Sequence, residues 1–262
     1  MVEDIKSNQS VVEIEGRRLE YRLIGQGASP SLVFLHEGLG SIDLWREYPG
    51  DVAKATGRCG LVYNREGHGW SDPIRGPRYP DFMEQEALTV LPQLLDQLGV
   101  ADLILIGHSD GASIALIYAG AGHPVSGLVL LAPHVFVEPE AIIGIETARE
   151  RFESTDLPER MARYHRDPQS TFHAWCDTWL DPAFGTWNIE GSLPGIDCPI
   201  LLIQGRDDEY GSLAQLDAIE RGVTGRVKRL VLEDCGHSPH LAQPARVLEA
   251  TARFIDEIGD ES

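Results

Sequence analysis

The chain has 262 residues, of which 42% are hydrophobic and 24% are charged, values that fit a soluble globular protein with one large core. Its formal charge of −19 argues against anionic partners, so we expect it to bind neither nucleic acid nor a membrane. The four cysteines stand singly without a Cys-x-x-Cys pair, which favours reduced thiols over a disulfide framework or a zinc site. The first ten residues lack the apolar core of a signal peptide, and we expect a cytoplasmic protein.

The predicted elements begin with a hairpin and continue as alternating strands and helices. Residues 11–15 and 17–23 alternate apolar with polar side chains on either side of Gly16, as two antiparallel strands do. Further along, short strands that are apolar throughout alternate with helices, which is typical of a parallel sheet covered on both faces. The strands are predicted over 31–35, 61–63, 103–106, 127–131, 199–203 and 227–232, and the helices over 44–55, 81–98, 112–119, 212–221 and 244–258.

This alternation stops between about Pro133 and Gly195, where the pattern predicts helices and no strand. The helices are predicted over 138–152, 157–165 and 168–180. A helical insertion between two strands of a sheet is most simply a lid over the cleft. We therefore predict three segments: a first part of the core over 1–132, a lid over 133–195 and a second part of the core over 196–262.

A Gly-x-Ser-x-Gly sequence at 107–111 lies between a predicted strand and a predicted helix. This order is typical of a nucleophile elbow, a tight turn that strains its central residue and needs glycines on either side to avoid clashes. We expect the hydroxyl of Ser109 to project into a cleft at the carboxyl end of the sheet. The motif favours a hydrolase over any class of binding protein.

A serine nucleophile needs a base within hydrogen-bond reach and a third group that orients the base. In this topology the acid and then the histidine follow the serine along the chain. The loop after the next-to-last predicted strand holds Asp207 and Asp208, and the loop after the last strand holds His237 and His240. We assign His237 as the general base and Asp208 as its acid, with Asp207 and, less strongly, His240 as the competing residues.

The oxyanion of a tetrahedral intermediate needs hydrogen-bond donors, which the backbone commonly supplies. One candidate is the N–H of Asp110, the first residue after the serine. The other is expected from the glycine-rich loop at 36–40, where we favour the N–H of Gly38 and keep that of Leu39 as the alternative.

The substrate pocket is expected beneath the predicted lid. Phe172, Trp175 and Trp179 recur at the spacing of one helix face, which indicates packing within the lid, although part of the stripe can roof an apolar pocket. Four residues are our candidates for the pocket: Leu39, Phe136, Trp175 and Trp179.

Together these segments resemble the α/β-hydrolase superfamily, in particular its bacterial, lid-bearing, esterase-like members. The matching sequences follow the family's order over nearly the whole chain: HEGLGS at 36–41, YNREGHGWSDP at 63–73, GHSDG at 107–111, GRDD at 205–208 and GHSPH at 236–240. The resemblance implies a mostly parallel eight-stranded sheet flanked by helices, with an inserted helical lid. In this family the acid usually lies three residues after the glycine of the GRDD-like turn, which supports Asp208 over Asp207.

Two positions depart from the family's pattern. Glu37 follows His36 where the family usually has glycine, and a carboxylate there would oppose the charge of an oxyanion. We expect Glu37 to point away and to form a hydrogen bond elsewhere; a subsidiary hypothesis gives it a role in recognising a cationic or hydroxylated substrate. Asp110 stands where many relatives have an apolar residue, and we expect its carboxylate to be stabilised by the helix N-terminus.

The sequence therefore predicts an enzyme, a serine hydrolase that cleaves a small or medium carboxylic ester, lactone or thioester through an acyl-enzyme on Ser109. It needs no metal and no cofactor, its expected partner is a small-molecule substrate, and no oligomeric state is predicted. Two alternatives stay open. The same triad can hydrolyse a carbon–carbon bond, and a ligand receptor or signalling protein can retain a hydrolase-like pocket.

Overall fold

The computed structural model describes residues 10–26, 31–100 and 102–260. Its eight described strands are β1 (Ser10–Ile14), β2 (Arg17–Ile24), β3 (Leu32–Leu35), β4 (Gly60–Tyr63), β5 (Ile104–His108), β6 (Gly127–Leu131), β7 (Ile200–Gly205) and β8 (Val227–Leu232). They form one sheet in the order β1–β2–β4–β3–β5–β6–β7–β8. β2 runs antiparallel to both β1 and β4, and the remaining neighbours pair in parallel. This confirms the predicted mostly parallel, eight-stranded sheet.

Helices cover both faces of the sheet. They are α1 (Tyr48–Thr56), α2 (Phe82–Gln85), α3 (Leu91–Gln97), α4 (Asp110–Gly120), α5 (Pro139–Ser154), α6 (Leu157–Met161), α7 (Pro168–Trp179), α8 (Ala214–Gly222), α9 (Pro239–Ala242) and α10 (Pro244–Asp260). Among these described helices, none has both the length and the apolar character that a bilayer-spanning segment needs.

The central strands are apolar throughout because each buries side chains on both faces. In β3, Val33 and Leu35 pack into the core beneath α3 and α4, whereas Leu32 and Phe34 pack into the core beneath α1 and α10. Successive side chains of a strand point to opposite faces, so a strand between two helical layers needs apolar residues at every position.

Two predicted helices differ in detail from the observed ones. The predicted helix over 81–98 contains a wider, π-helical stretch at Glu86–Val90 between α2 and α3. Pro92 follows it, and a proline ring in a regular helix would clash with the carbonyl of the residue four positions earlier. The predicted helix over 44–55 begins only at Tyr48, after a 3₁₀ turn at Ile42–Trp45, because Pro49 favours the first turn of a helix.

The segment between β6 and β7 contains α5, α6 and α7 followed by two 3₁₀ turns. Phe152 of α5 stacks on Phe172 of α7 with ring centroids 3.9 Å apart, which fixes the two helices against each other. The Thr171 hydroxyl donates to the carbonyl of Gly67 at 2.6 Å, and so joins α7 to a loop of the core. Because Gly67 follows β4, this helical insertion packs on the loops at the carboxyl end of the sheet.

Candidate active site

Ser109 lies in the turn between β5 and α4 with φ 53° and ψ −120°. A non-glycine residue in this conformation carries strain of about 1–3 kcal/mol, which the surrounding structure must impose. A Cβ atom at Gly107 would lie 2.6 Å from Cα of Ala112, and one at Gly111 would overlap the carbonyl oxygen of Leu35. Both glycines of the motif are thus required for the chain to turn this tightly against β3.

His237 contacts Asp208 at the adjacent strand ends. Its Nδ1–H donates to Oδ1 of Asp208 at 2.8 Å. The carboxylate is held in turn by the backbone N–H of Tyr210, which donates to Oδ1 at 2.9 Å, and by the Gln204 amide, which donates to Oδ2 at 3.2 Å. The Asp208 side chain is 1% exposed and that of His237 is 12% exposed. The pair therefore has a fixed geometry in a largely dry environment.

The two groups shift each other's protonation. Burial alone would lower the pKa of His237, but the neighbouring Asp208 carboxylate outweighs it and raises that pKa above its ordinary value. Burial would likewise raise the pKa of Asp208, and the imidazole of His237 outweighs it and lowers that pKa. At neutral pH Asp208 is therefore an anion, and it orients His237 with Nδ1 protonated and Nε2 facing away from the carboxylate.

The two competing residues lie elsewhere. Asp207 is exposed, and its backbone N–H donates to the carbonyl of Cys235. His240 lies in α9 and is buried against Trp45, with ring centroids 5.0 Å apart. Burial lowers the pKa of His240 to about 3, so it is a neutral, packed ring. Geometry therefore favours Asp208 and His237 over these alternatives.

Ser109 and His237 line one cavity of about 90 Å³ at the carboxyl ends of the strands. The cavity is walled mainly by apolar and aromatic side chains from the core and from the helical insertion. Its other lining residues are Glu37, Gly38, Leu39, Asp110, His134, Ala141, Ile145, Trp175, Trp179 and Tyr210. Three of the four predicted pocket residues are therefore at this cavity, namely Leu39, Trp175 and Trp179.

Phe136 is placed differently. It is not among the described residues that line the cavity, and its backbone instead forms an isolated bridge with Asn188. His134, two residues earlier, was not among the predicted site residues, yet it lines the cavity. Its position just after β6, where the loops at the carboxyl edge converge, is the signal that could have found it.

A larger cavity of about 800 Å³ lies at the opposite edge of the sheet. It is bounded by residues that precede β5, β6 and β7, among them Leu103, Ser126 and Cys198. Ligands of parallel sheets bind outside the carboxyl ends of the strands. The smaller cavity, which contains Ser109, is thus the candidate site despite its size.

The loop at 36–39 is held by hydrogen bonds to its carbonyl groups. The Arg65 guanidinium donates to the carbonyls of His36 at 2.5 Å and Glu37 at 2.9 Å. Nε2–H of His165, from the helical insertion, donates to the carbonyl of Leu39 at 3.0 Å. A peptide's C=O and the next residue's N–H point in opposite directions. Because Arg65 holds the Glu37 carbonyl, the N–H of Gly38 points away from Arg65.

Glu37 forms its hydrogen bond away from this loop, as expected. Its Oε2 lies 3.3 Å from Nδ1 of His108, and Nε2–H of His108 donates to the carbonyl of His237 at 2.8 Å. Burial would raise the pKa of Glu37, but its hydrogen bond to His108 and the charge of that ring lower it to about 2. Glu37 is thus linked through His108 to the loop that carries His237.

Asp110 departs from the expectation of simple stabilisation at a helix N-terminus. Its side chain is fully buried, and neither carboxylate oxygen has a hydrogen-bond partner among the described residues. Burial raises the pKa of Asp110, and the nearby charges of Arg65 and Arg78 oppose the rise without cancelling it. The carboxyl group therefore lies at the cavity with unsatisfied hydrogen-bonding capacity.

Comparison with known proteins gives consistent matches. Residues 32–250 match the model of the alpha/beta hydrolase family. The chain is 25% identical to the 2-succinyl-6-hydroxy-2,4-cyclohexadiene-1-carboxylate synthase of Salmonella paratyphi C over 88% of this chain and 96% of that protein. It is 32% identical to the sn-1-specific diacylglycerol lipase of Mus musculus, but over 43% of this chain and only 36% of that protein. A solved N-acyl homoserine lactone degrading enzyme, Est816, is 26% identical with a TM-score of 0.69, over 94% of this chain and 100% of that one.

Proposed function

The chain belongs to the alpha/beta hydrolase family, and from the geometry of its candidate site we propose that it hydrolyses small or medium carboxylic esters, lactones or thioesters. The observation that carries this proposal is the placement of Ser109 and His237 on one cavity, with His237 held by Asp208 at 2.8 Å. A strained serine, a histidine of raised pKa and a buried carboxylate are the components of acyl transfer by a serine nucleophile.

In the proposed reaction, Oγ of Ser109 attacks the acyl carbonyl carbon while Nε2 of His237 accepts the hydroxyl proton. Asp208 stabilises the resulting imidazolium through the hydrogen bond at Nδ1. His237 then gives the proton to the leaving alcohol or thiol, and the acyl group stays on Ser109. Water, deprotonated by His237, attacks the acyl-enzyme and releases the acid, so that the serine regains its proton.

Backbone N–H groups are proposed to bind the oxyanion. Asp110 is the first residue of α4, so its N–H has no acceptor within the helix and carries the partial positive charge of the helix N-terminus. The second donor is proposed to be Gly38 N–H, with Leu39 N–H as the alternative. Losing one such donor typically costs about 3 kcal/mol of transition-state stabilisation.

The helical insertion over 133–195 is proposed to act as the lid of this site. It supplies five of the cavity's lining residues, among them the two tryptophans Trp175 and Trp179. The cavity of about 90 Å³ is well below the roughly 300–1,000 Å³ of pockets that hold drug-sized ligands. We therefore propose a short acyl group beneath the lid. The resemblance to a lactone-degrading enzyme and to a lipase supports carboxylic ester bonds as the substrate class.

Labelling with a fluorophosphonate, followed by mass mapping, tests the nucleophile. We expect modification of Ser109 alone and loss of p-nitrophenyl ester hydrolysis by about 10⁴-fold or more in Ser109→Ala. Ser154→Ala is the matched control, because Ser154 is an exposed serine at the end of α5 that does not line the cavity. Modification at any other serine would refute the proposed mechanism.

The same preparation separates the alternative functions. A vinylogous diketone assayed beside the esters reports carbon–carbon bond hydrolysis, and faster turnover of the diketone would favour that reaction. Turnover of every substrate below about one per hour, far under ordinary enzyme rates, would instead favour a ligand receptor. Ester turnover that depends on Ser109 would support the proposed function.

A further inference from the structure

The strongest unexplained feature of the molecule is the Asp110 carboxyl group. It is fully buried, it belongs to a residue that lines the cavity next to Ser109, and both of its oxygens lack a hydrogen-bond partner among the described residues. Its Oδ2 lies on the cavity wall at Gly38, since a Cβ atom built on Gly38 would be 3.0 Å from it. Buried carboxyl groups are normally paired, so an unpaired one at a substrate cavity indicates a partner on the ligand.

A second unpaired group lines the same cavity. Trp179 is 2% exposed, and its indole N–H has no hydrogen-bond partner among the described residues. The indole N–H is close enough to the Asp110 carboxyl for a loose hydrogen bond that helps lower the pKa of that carboxyl, yet the contact lacks the geometry of a well-formed hydrogen bond. An indole N–H can only donate, and a carboxylate can only accept. The two groups therefore present one donor and one acceptor side by side.

We propose that the substrate's acyl group carries a hydroxyl group, which donates to the Asp110 carboxylate and accepts from the indole N–H of Trp179. This assignment rests on the proposed function and names its substrate class: esters, lactones or thioesters of short 2- or 3-hydroxy acids. A hydroxyl is the smallest group that both donates and accepts. An ammonium group would leave the indole N–H unpaired, and an additional carbonyl would leave the carboxylate unpaired.

The position and size of the cavity agree with this class. Asp110 and Ser109 line the same small cavity, so a group bound by Asp110 lies close to the carbonyl under attack. The cavity of about 90 Å³ has room for a short acyl chain. Sites built to bind a substrate hydroxyl discriminate strongly against the analogue that lacks it, because the buried protein groups are then left unpaired.

Three methyl esters test the proposal: butyrate, 3-hydroxybutyrate and 3-aminobutyrate, with acid release followed at constant pH. We expect kcat/KM for the hydroxy ester to exceed that for butyrate by at least about tenfold. Asp110→Ala and Trp179→Phe should each bring this ratio close to one, since each removes one of the two partners. Trp187→Phe is the matched control and should leave the ratio unchanged, because the Trp187 indole lies off the cavity and donates to Glu84 at 3.3 Å.

Equal rates for butyrate and hydroxybutyrate in the unaltered chain would overturn the proposal even if a variant failed to fold. A preference for the amino ester would overturn it in favour of an ammonium group. If no ester is hydrolysed, the proposed function fails, and binding of the same methyl esters to Ser109→Ala by calorimetry then decides this inference separately. Tighter binding of the hydroxy ester would support it, and equal binding would overturn it.

Discussion

At the residue scale, the neighbouring Asp208 carboxylate has the main part in raising the pKa of His237. The ordinary histidine pKa is about 6.5, and Asp208, with smaller contributions from Glu209 and Glu37, outweighs burial and raises that of His237. Asp208 itself stays ionised because the imidazole lowers its pKa. The proposed base is thus stronger than a free histidine, and it is unavailable below its raised pKa.

This leads to a prediction about pH. Because only neutral His237 can accept the serine proton, kcat/KM should fall with decreasing pH through a pKa above about 6.5. In Asp208→Asn the acidic limb of the pH–rate profile should move to lower pH, because the charge that favours the imidazolium form of His237 is gone. The rate on the plateau of that profile should also drop about 10⁴-fold. Stopped ester assays from pH 5 to 9 measure both effects. Asp207→Asn, an exposed neighbour, should change neither; an unmoved limb in Asp208→Asn would contradict the assignment.

Glu37 supports the same site through an indirect contact. Its hydrogen bond and charge interaction with His108 offset burial and lower its pKa to about 2, and His108 holds the His237 carbonyl at 2.8 Å. A carboxylate with a pKa lowered in the folded state stabilises it above the unfolded pKa of about 4.3, and the effect is lost as pH falls towards the folded value. Glu37 should therefore contribute to stability at neutral pH and not at pH 2.

We predict that Glu37→Gln lowers the free energy of unfolding by about 1–3 kcal/mol at pH 7. The difference in free energy of unfolding between Glu37→Gln and the unaltered chain should disappear between about pH 4.5 and pH 2, because protonation of Glu37 removes the charge that the variant lacks. Urea unfolding at a series of pH values measures it. Glu13→Gln, at an exposed position on β1, should show almost no gap at any pH. A gap for Glu37→Gln that does not depend on pH would show that its charge is not the cause.

At the scale of elements, the sequence is sufficient to predict a strand, helix or turn where a local pattern decides its structure. The apolar runs predicted β6 to the residue and β5 to within two residues at each end, and the motif at 107–111 predicted the turn that carries Ser109. The π-helical stretch at Glu86–Val90 was missed, although Pro92 is its visible cause, because amphipathic spacing alone does not show how a helix accommodates a proline. The contact of His108 with the His237 carbonyl could not be predicted, since it joins residues 129 positions apart.

The turn between β5 and α4 gives a direct test of this local argument. Gly111→Ala should destabilise the protein by at least about 2 kcal/mol, because the added methyl group would overlap the backbone of Leu35. Gly50→Ala is the matched control in α1, where a Cβ atom meets nothing within 4 Å and φ is unremarkable. It should stabilise the protein by about 0.5–1 kcal/mol. Denaturant unfolding measures both changes, and equal stability of the two variants would contradict this account of the turn.

At the scale of the whole molecule, the cavity is lined by residues of both the sheet core and the helical insertion. The sheet and its loops supply Ser109 and His237, whereas the helical insertion supplies Ile145, Trp175 and Trp179. His165 of the insertion also donates to the carbonyl of Leu39, so the same segment lines the cavity and contacts the loop proposed to bind the oxyanion. We therefore expect the packing of the insertion on the core to affect both the size of the cavity and the position of the proposed oxyanion donors.

Substrate length is therefore expected to depend on the insertion. Ile145 on α5 is 2% exposed and lines the cavity, whereas Ile143 on the same helix is 62% exposed. Ile145→Ala removes three carbons from the wall, so the acyl length with the highest kcat/KM should increase by about two or three carbons while short esters lose some binding. Ile143→Ala should keep the preference of the unaltered chain. A series of p-nitrophenyl esters from acetate to octanoate measures it. The assay must run well below the unfolding temperature, because truncating a buried isoleucine to alanine costs about 2–5 kcal/mol of stability. An unchanged length preference in Ile145→Ala would mean that the acyl group does not lie beneath α5. The insertion would then cover the site without determining the length of the acyl group that it accepts.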